Sequence, residues 1–269
     1  MTNVIVAGAA GRMGQRIGWM VSENPQLNYA AAFEAPGNGA IGRDAGEVGG
    51  WGTNGVKIRE GLESVIDQGD VIIDFTFHEA TMGFARLAAE QGTGMVIGTT
   101  GLSAENLAEL EQLAQKFPCV QAPNMAVGVN VLFKLAAKAA SILGDDYDIE
   151  IIEAHHNQKK DAPSGTALKL AEMAAEGVNR DLAQVGVYER YGMIGARDPK
   201  EIGIQTIRAG DIVGEHTIYF AGQGERIEIT HRAHSRDNFA KGAAVAAAWV
   251  AEKPNGLYTM FDVLGLQDL

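Results

Sequence analysis

Short apolar runs alternate with stretches in which apolar residues recur every three or four positions, and this rhythm holds through about the first 125 residues. Residues 3–7, rich in β-branched side chains and closed by Gly8, read as a buried strand ending in a turn. Residues 12–23 place Met13, Ile17, Met20 and Val21 on one side of a helix. Strands are then predicted over 27–33 and 71–75, a helix over 79–91, a strand over 94–97, a helix over 104–116 and a strand over 119–122. Strands alternating with helices predict a parallel sheet with helices on both faces. Between residues 37 and 55 glycines crowd and periodicity lapses, which predicts a surface loop near the ligand end of that sheet.

After Asn124 the pattern changes. Residues 129–143 form a strongly amphipathic helical pattern, 148–154 an apolar–acidic strand, and 166–176 a further helix after a polar loop. Three strands follow over 202–208, 215–221 and 225–231, the last two joined by Gly222-Gln223-Gly224, a natural hairpin turn. A helix is predicted over 239–252. Runs of strands here imply a mixed or antiparallel sheet, different in kind from the first.

Composition narrows the field. Hydrophobic residues make up 46% of the 269 and charged ones 21%, enough to bury a core, so disorder is excluded. A formal charge of −12 disfavours nucleic acid and anionic lipid as partners. It leaves room for a local cationic cleft, because screening acts over roughly 8 Å. The single cysteine, Cys119, sits in an apolar stretch and reads as a buried, inert thiol. Residues 1–11 lack a basic region followed by a long apolar run, and no stretch reaches the roughly 18 uninterrupted apolar residues of a spanning helix. A cytoplasmic location without membrane attachment is therefore the expectation.

Gly8-Ala9-Ala10-Gly11-Arg12-Met13-Gly14 stands between the first strand and the first helix. Glycines at 8, 11 and 14 allow a tight turn, a close approach of backbone to pyrophosphate and a close packing of helix on sheet. The helix start then offers N–H groups and partial positive charge to the phosphates. Glu34 lies 20 residues after Gly14, the spacing at which a carboxylate meets the adenosine ribose. Together these predict a Rossmann-like dinucleotide site. Glu34 is followed by Ala35, not Arg, which favours NADH over NADPH; Arg12, Arg16 or Arg43 leaves dual use open. Gly98-Thr99-Thr100-Gly101 follows a later strand and can approach ribose and nicotinamide, while Ser103 beyond it begins half a capping box. By its residues alone, Ala122-Pro123-Asn124-Met125 is as well read as a plain turn as a nicotinamide pocket.

The segment from Glu153 to Ala167, EAHHNQKKDAPSGTA, crowds His155, His156, Lys159 and Lys160 into an acidic chain, which points to an anionic ligand. Ser164 or Thr166 can cap the helix that follows, and the amides of Gly165 and Thr166 then make a carboxylate-binding nest. Histidine can give a proton near neutral pH, and lysine can hold a carboxylate or give a proton. Adjacent histidines in extended chain point to opposite faces and no further ligand falls at metal spacing, so no metal is expected. His216, His231 and His234 read as fillers of a sheet, and Lys160 has no assigned role.

These residues resemble a known family. VIVAGAAGRMG, VIGTTG, NMAVGVN, EAHHNQKKDAPSGTA and the stretch IRAGDIVGEHTIYFAGQGERIEITHRAHSRDNFAKGA are similar to the 4-hydroxy-tetrahydrodipicolinate (dihydrodipicolinate) reductases, and the likeness runs over nearly the whole chain. The resemblance implies an NAD(P)H-dependent oxidoreductase. Its reaction would turn a small, cyclic, dianionic substrate into tetrahydrodipicolinate, on the diaminopimelate route to lysine. It implies His155 as proton donor, Lys159 as second donor, and His156, Ser164, Gly165 and Thr166 as substrate ligands. Gly8, Ala9, Ala10, Gly11, Arg12, Met13, Glu34, Gly98, Thr99, Thr100, Ala122, Pro123, Asn124 and Met125 would contact the dinucleotide. The expected architecture is an α/β chain: a Rossmann-like domain of residues 1–126 and 237–269, and an α+β substrate-binding and oligomerisation domain of residues 127–236 with a mixed sheet. A homotetramer built through that second sheet is implied too. One departure is Ala35, where some members carry Arg; it argues against a strong NADPH preference. Two other classes compete: a different two-domain NAD(P)-dependent dehydrogenase, disfavoured by the paired histidines and the Ser-Gly-Thr turn, and a non-catalytic NADH-sensing protein, disfavoured by the absence of a basic nucleic-acid module.

Overall fold

The computed structural model describes residues 1–269. The chain divides into two compact units, one of residues 1–127 with 236–267, the other of residues 128–235 with 268–269.

The first unit opens with β1 (Thr2–Ala7), α1 (Arg12–Ser22) and β2 (Leu27–Glu34). A short α2 (Ala45–Gly49) and β3 (Ile58–Glu60) follow, then β4 (Val71–Asp74), α3 (His78–Gln91), β5 (Gly94–Ile97), α4 (Ala104–Leu113) and β6 (Pro118–Gln121). The loop predicted over 37–55 thus contains a helical turn. Asp44 caps it through the amides of Gly46 and Glu47, a local signal that the glycine-rich composition obscured. The half capping box read at Ser103 is complete: Ser103 Oγ accepts from the Asn106 N–H, and Asn106 returns its side-chain oxygen to the Ser103 N–H. Asparagine takes the part usually given to Glu or Gln.

The second unit contains α5 (Val127–Leu143), β7 (Asp148–His155), α6 (Gly165–Gly177), α7 (Leu182–Val185), β8 (Gly186–Val187), β9 (Ile202–Arg208), β10 (Gly214–Ala221) and β11 (Arg226–Ala233). The chain then returns to the first unit as α8 (Asp237–Val250), β12 (Gly256–Tyr258) and α9 (Met260–Leu264).

The first sheet is parallel throughout, in the order β12-β6-β5-β4-β1-β2-β3. Its order reverses at β1, with β2 on one side and β4 on the other, so a crevice opens at the carboxyl ends of these strands. Alternation along the strands feeds two cores. Val4, Val6, Val71, Ile73, Val96 and Val120 face Ile17 and Val21 of α1 and the alanine face of α8. Ile5, Ile72, Met95 and Ile97 face Met82 and Ala85 of α3 and Leu110 of α4. Cys119 is completely buried in the second core, and burial pushes its thiol up, away from reactivity.

The second sheet is mixed, in the order β11-β10-β7-β9-β8. β7 pairs antiparallel with β10 and parallel with β9. Helix α6 packs on one face, against β7, β9 and β10. Residues 127–146 are long and apolar enough, by composition, to cross a membrane. A helix packed inside protein meets the same test, and here Leu132, Phe133, Ala136 and Ala140 are buried while Gly177 of α6 lies against the Ala137 carbonyl.

Candidate active site

In the first unit the predicted dinucleotide residues gather at the carboxyl ends of β1, β2, β5 and β6. Gly8 ends the strand with φ +61°, a conformation costly for any residue with a Cβ. Gly11 donates its N–H to the Gly8 carbonyl at 2.9 Å, closing the turn. A Cβ on Gly14 would stand 2.0 Å from the Gly8 carbonyl oxygen, so helix and turn meet at a distance that only glycine allows. Helix α1, which carries Arg12 and Met13 in its first turn, starts at Gly11 with neither a side-chain cap nor an acidic residue. Its free N–H groups and positive dipole end therefore remain for an anion. Glu34, buried at the end of β2, accepts the Ala10 N–H on Oε1 at 2.8 Å. Its Oε2 keeps only a 3.4 Å contact with the Ala35 N–H. Ala9 is fastened to the Phe33 carbonyl. These features fit the pyrophosphate and ribose of a dinucleotide.

Gly98 follows β5 and packs on Phe75, where a Cβ would meet the ring at 2.3 Å. Thr99 is buried beside the Asp74 carbonyl, and Thr100 is exposed. Ala122 and Met125 are buried, Pro123 is exposed, and the Asn124 side chain accepts from the Ala126 N–H. Sequence reasoning missed Asp74, a buried carboxylate at the end of β4. Burial raises its carboxyl, while hydrogen bonds from Thr76 and Thr81 oppose the rise. It fixes Thr76, whose methyl lies where a Cβ on Gly8 would fall.

In the second unit β7 and the loop after it carry the catalytic candidates. Ile149, Ile151, Glu153 and His155 are all buried, at alternate positions that share one face of the strand. Glu153 is fully buried and stands between Thr206 on β9 and His216 on β10. Its Oε2 meets His155 Nδ1 at 2.6 Å and Arg208 at 2.8 Å. Its Oε1 accepts from Arg208 at 2.8 Å, the Ser164 N–H at 2.9 Å and Thr206 at 3.2 Å. Burial alone would raise this carboxyl; the hydrogen bonds from His155, Arg208 and Ser164 outweigh it and hold it far below its ordinary range. His155 Nε2 lies over Gly214, where a Cβ would come within 3.1 Å.

His156 follows, half-buried, and its carbonyl closes a turn with the Lys159 N–H. Lys159 Nζ pairs with Asp161 at 2.9 Å. Ser164 caps α6 by accepting the Ala167 N–H at 3.1 Å, leaving Gly165 and Thr166 in the first helical turn. His216, expected as sheet filling, instead contacts the site: its Nε2 lies 3.1 Å from Ser164 Oγ, and its ring stands edge-on to His155 at 5.2 Å. Glu153, Thr206, Arg208 and His216 were assigned no role from sequence. The available signal was Glu153 itself, a carboxylate at an inward-facing position among isoleucines.

A parallel sheet with a glycine turn at its reversal point, accompanied by a histidine–carboxylate pair on a second sheet and a lysine in the loop after it, is the architecture of a nicotinamide-dependent oxidoreductase of two units. Comparison with known proteins gives the family. Residues 2–125 match the model for "Dihydrodipicolinate reductase, N-terminus", and residues 128–264 that for "Dihydrodipicolinate reductase, C-terminus". A 4-hydroxy-tetrahydrodipicolinate reductase of Desulfotalea psychrophila is 74% identical over 100% of both chains. One from Syntrophobacter fumaroxidans is 54% identical, over 99% of this chain and 100% of that one. Among solved structures, a dipicolinate-bound dihydrodipicolinate reductase from Paenisporosarcina sp. TG-14 superimposes with a TM-score of 0.77 at 28% identity, covering 97% of this chain and 98% of that one. The chain belongs to the dihydrodipicolinate reductase family.

Proposed function

We propose that this chain reduces 4-hydroxy-tetrahydrodipicolinate to tetrahydrodipicolinate, in the cytoplasm, on the diaminopimelate route to lysine. The observation that carries this reading is the His155 imidazole held on a buried carboxylate, four residues before Lys159 and beside the amide end of α6. A small cyclic dianion is the substrate this chemistry suits. His156, Ser164, Gly165 and Thr166 hold its carboxylates, with the α6 N-terminus supplying partial positive charge.

Gly8 to Met13 cradle the pyrophosphate, Glu34 takes the ribose hydroxyls on its underused Oε2, and Gly98 to Thr100 with Ala122 to Met125 line the nicotinamide end. When bound, the reduced nicotinamide supplies hydride to the substrate ring. The 4-hydroxyl leaves as water, and His155 gives from Nε2 the proton that balances hydride and hydroxide, because its Nδ1 is committed to Glu153. Lys159 stabilises the charge that develops, and exchange from Asp161 to substrate frees it to do so. NADH is favoured, with dual use second: Glu34 repels a 2′-phosphate, Ala35 offers no cation, and Arg16 is paired through Nε and Nη2 with Asp237.

A homotetramer assembled through the second sheet is part of this reading. The face opposite α6 leaves Ile207 46% exposed, and the nearby segment holds Tyr191 at 90% and Met193 fully exposed. Large apolar side chains so displayed favour a second copy of the chain.

The test is absorbance at the nicotinamide band when protein, cofactor and the coupled synthase product are mixed. Turnover is expected, with His155→Ala and Lys159→Ala each about 10²–10⁴-fold slower while still folded. Full activity in both variants would overturn the assignment. An NADPH preference of about a hundredfold or more would overturn the cofactor reading.

A further inference from the structure

We propose that Glu153 and Arg208 form a positioning pair that aims His155 and anchors the loop carrying Lys159, so that one buried carboxylate aligns the proton donor with the anion-binding end of α6. This deepens the function proposed above and rests on His155 being the proton donor.

Besides Thr206 and the Ile207 carbonyl, the contacts of the pair lead to that machinery. Glu153 holds His155 Nδ1 at 2.6 Å, which fixes the ring's rotation and leaves Nε2 as the nitrogen able to deliver a proton. The same carboxylate takes the Ser164 N–H, setting the residue that starts α6. Arg208 grips both Glu153 oxygens and passes its NH2 group on to the Asp161 carbonyl at 2.6 Å. Asp161 in turn holds Lys159. Three groups from one loop and one helix end are thereby referred to a single point on β7. Thr206 and Arg208 reach it from β9, opposite Glu153 and His155 in the strand register.

Stability alone gives no reason for a carboxylate here. Ile149 and Ile151 precede it on the same face, and an apolar residue would continue their core. Burying an ion pair costs its hydration, and a well-packed apolar replacement is often neutral or stabilising. What an apolar residue cannot do is hold imidazole Nδ1. The charged and titratable groups around His155 are Glu153 on its own strand, Arg208 on β9, His216 on β10, and Lys159 and Asp161 in the loop. Of these, Glu153 alone bonds to the ring.

The experiment compares kcat and kcat/KM across pH for the full-length wild type, Glu153→Gln, Glu153→Asp, the double variant E153Q/R208Q and His155→Asn. A proton donor must be protonated, so activity falls as pH rises past its titration. Loss of the facing negative charge is expected to move that alkaline fall to lower pH. Glu153→Gln is expected to lower kcat roughly 10–100-fold, with a smaller change in KM. Glu153→Asp should return the alkaline fall toward its wild-type position. The double variant removes both charges together, which avoids stranding one in the interior and keeps the test open if Glu153→Gln alone fails to fold. Wild-type rates, or slower rates with an unmoved alkaline fall, would refute the positioning role. Full activity in His155→Asn would instead refute His155 as the donor.

Discussion

His216 shows how a single buried side chain ties the site to pH. It is 4% exposed, and burial first, then the neighbouring charge of His155, pushes it down to about 3 from an ordinary 6.5. A histidine depressed in this way binds fewer protons folded than unfolded. Its stabilising contribution is complete above about 6.5 and is lost as pH falls toward about 3. His231, pushed down mainly by burial, has the same sign. For Glu150 and Glu153 burial acts upward, but their arginines and hydrogen bonds outweigh it and hold them low, so their contributions fade only below the ordinary carboxylate value of 4.5. Asp74, raised by burial, acts in the opposite sense, and among the groups held low the interval between pH 6.5 and 4.5 belongs to the histidines. Denaturant unfolding is expected to show a loss on the order of 2 kcal/mol across it in the wild type. His216→Gln, neutral throughout, should lose less. Parallel pH profiles for the two proteins would contradict the sign.

Among the elements, α6 depends most visibly on one residue at its start. Ser164 Oγ accepts the Ala167 N–H and touches His216, while Ser164 N–H is held by Glu153. Ser164→Ala removes the cap and leaves His216 Nε2 without that contact. A loss of about 1 kcal/mol in unfolding free energy is expected, together with a rise in KM that exceeds the change in kcat; an unaltered KM would detach the cap from substrate binding. Elements with a strong period were legible in the chain itself: the strands at 3–7, 94–97 and 202–208, and the helices built on Ile17 and Leu170, lie where the pattern puts them. Three-residue strands such as β3 and β12 were not, because a segment that short carries no period and forms only when a neighbouring strand offers its edge. The same limit hid the partners of Glu153. Thr206, Arg208 and His216 lie 53, 55 and 63 residues away, and only strand register brings them to it. The placement of the glycine turn after β1 and of Glu34 at the end of β2 was legible because it is local in sequence, at a spacing that the strand–helix–strand path dictates.

At the scale of the whole molecule, the second sheet has one face under α6 and another open. Ile152, Ile207, Thr217 and Tyr219 are at least partly exposed across β7, β9 and β10, too apolar a set to be left to water at no cost. Arg190 and Arg197 fasten the segment bearing Tyr191 and Met193 back to Glu150 and Glu201 beside that face. Sedimentation velocity is expected to give a tetramer, and Ile207→Glu a smaller species at the same concentration; a wild-type monomer would end the proposal. The sheet of the first unit has a different dependence. Helix α8 lays Ala240, Ala243, Ala247 and Val250 on Val4, Val6 and Val96, and β12 extends the sheet beside β6. On a translating ribosome those pieces emerge only after the entire second unit, so the segment made first must wait, one side of its sheet bare, while the segment made later is free to fold ahead of it. A nascent chain stalled near residue 236 would therefore display a greasy surface, and a chaperone would find its client there.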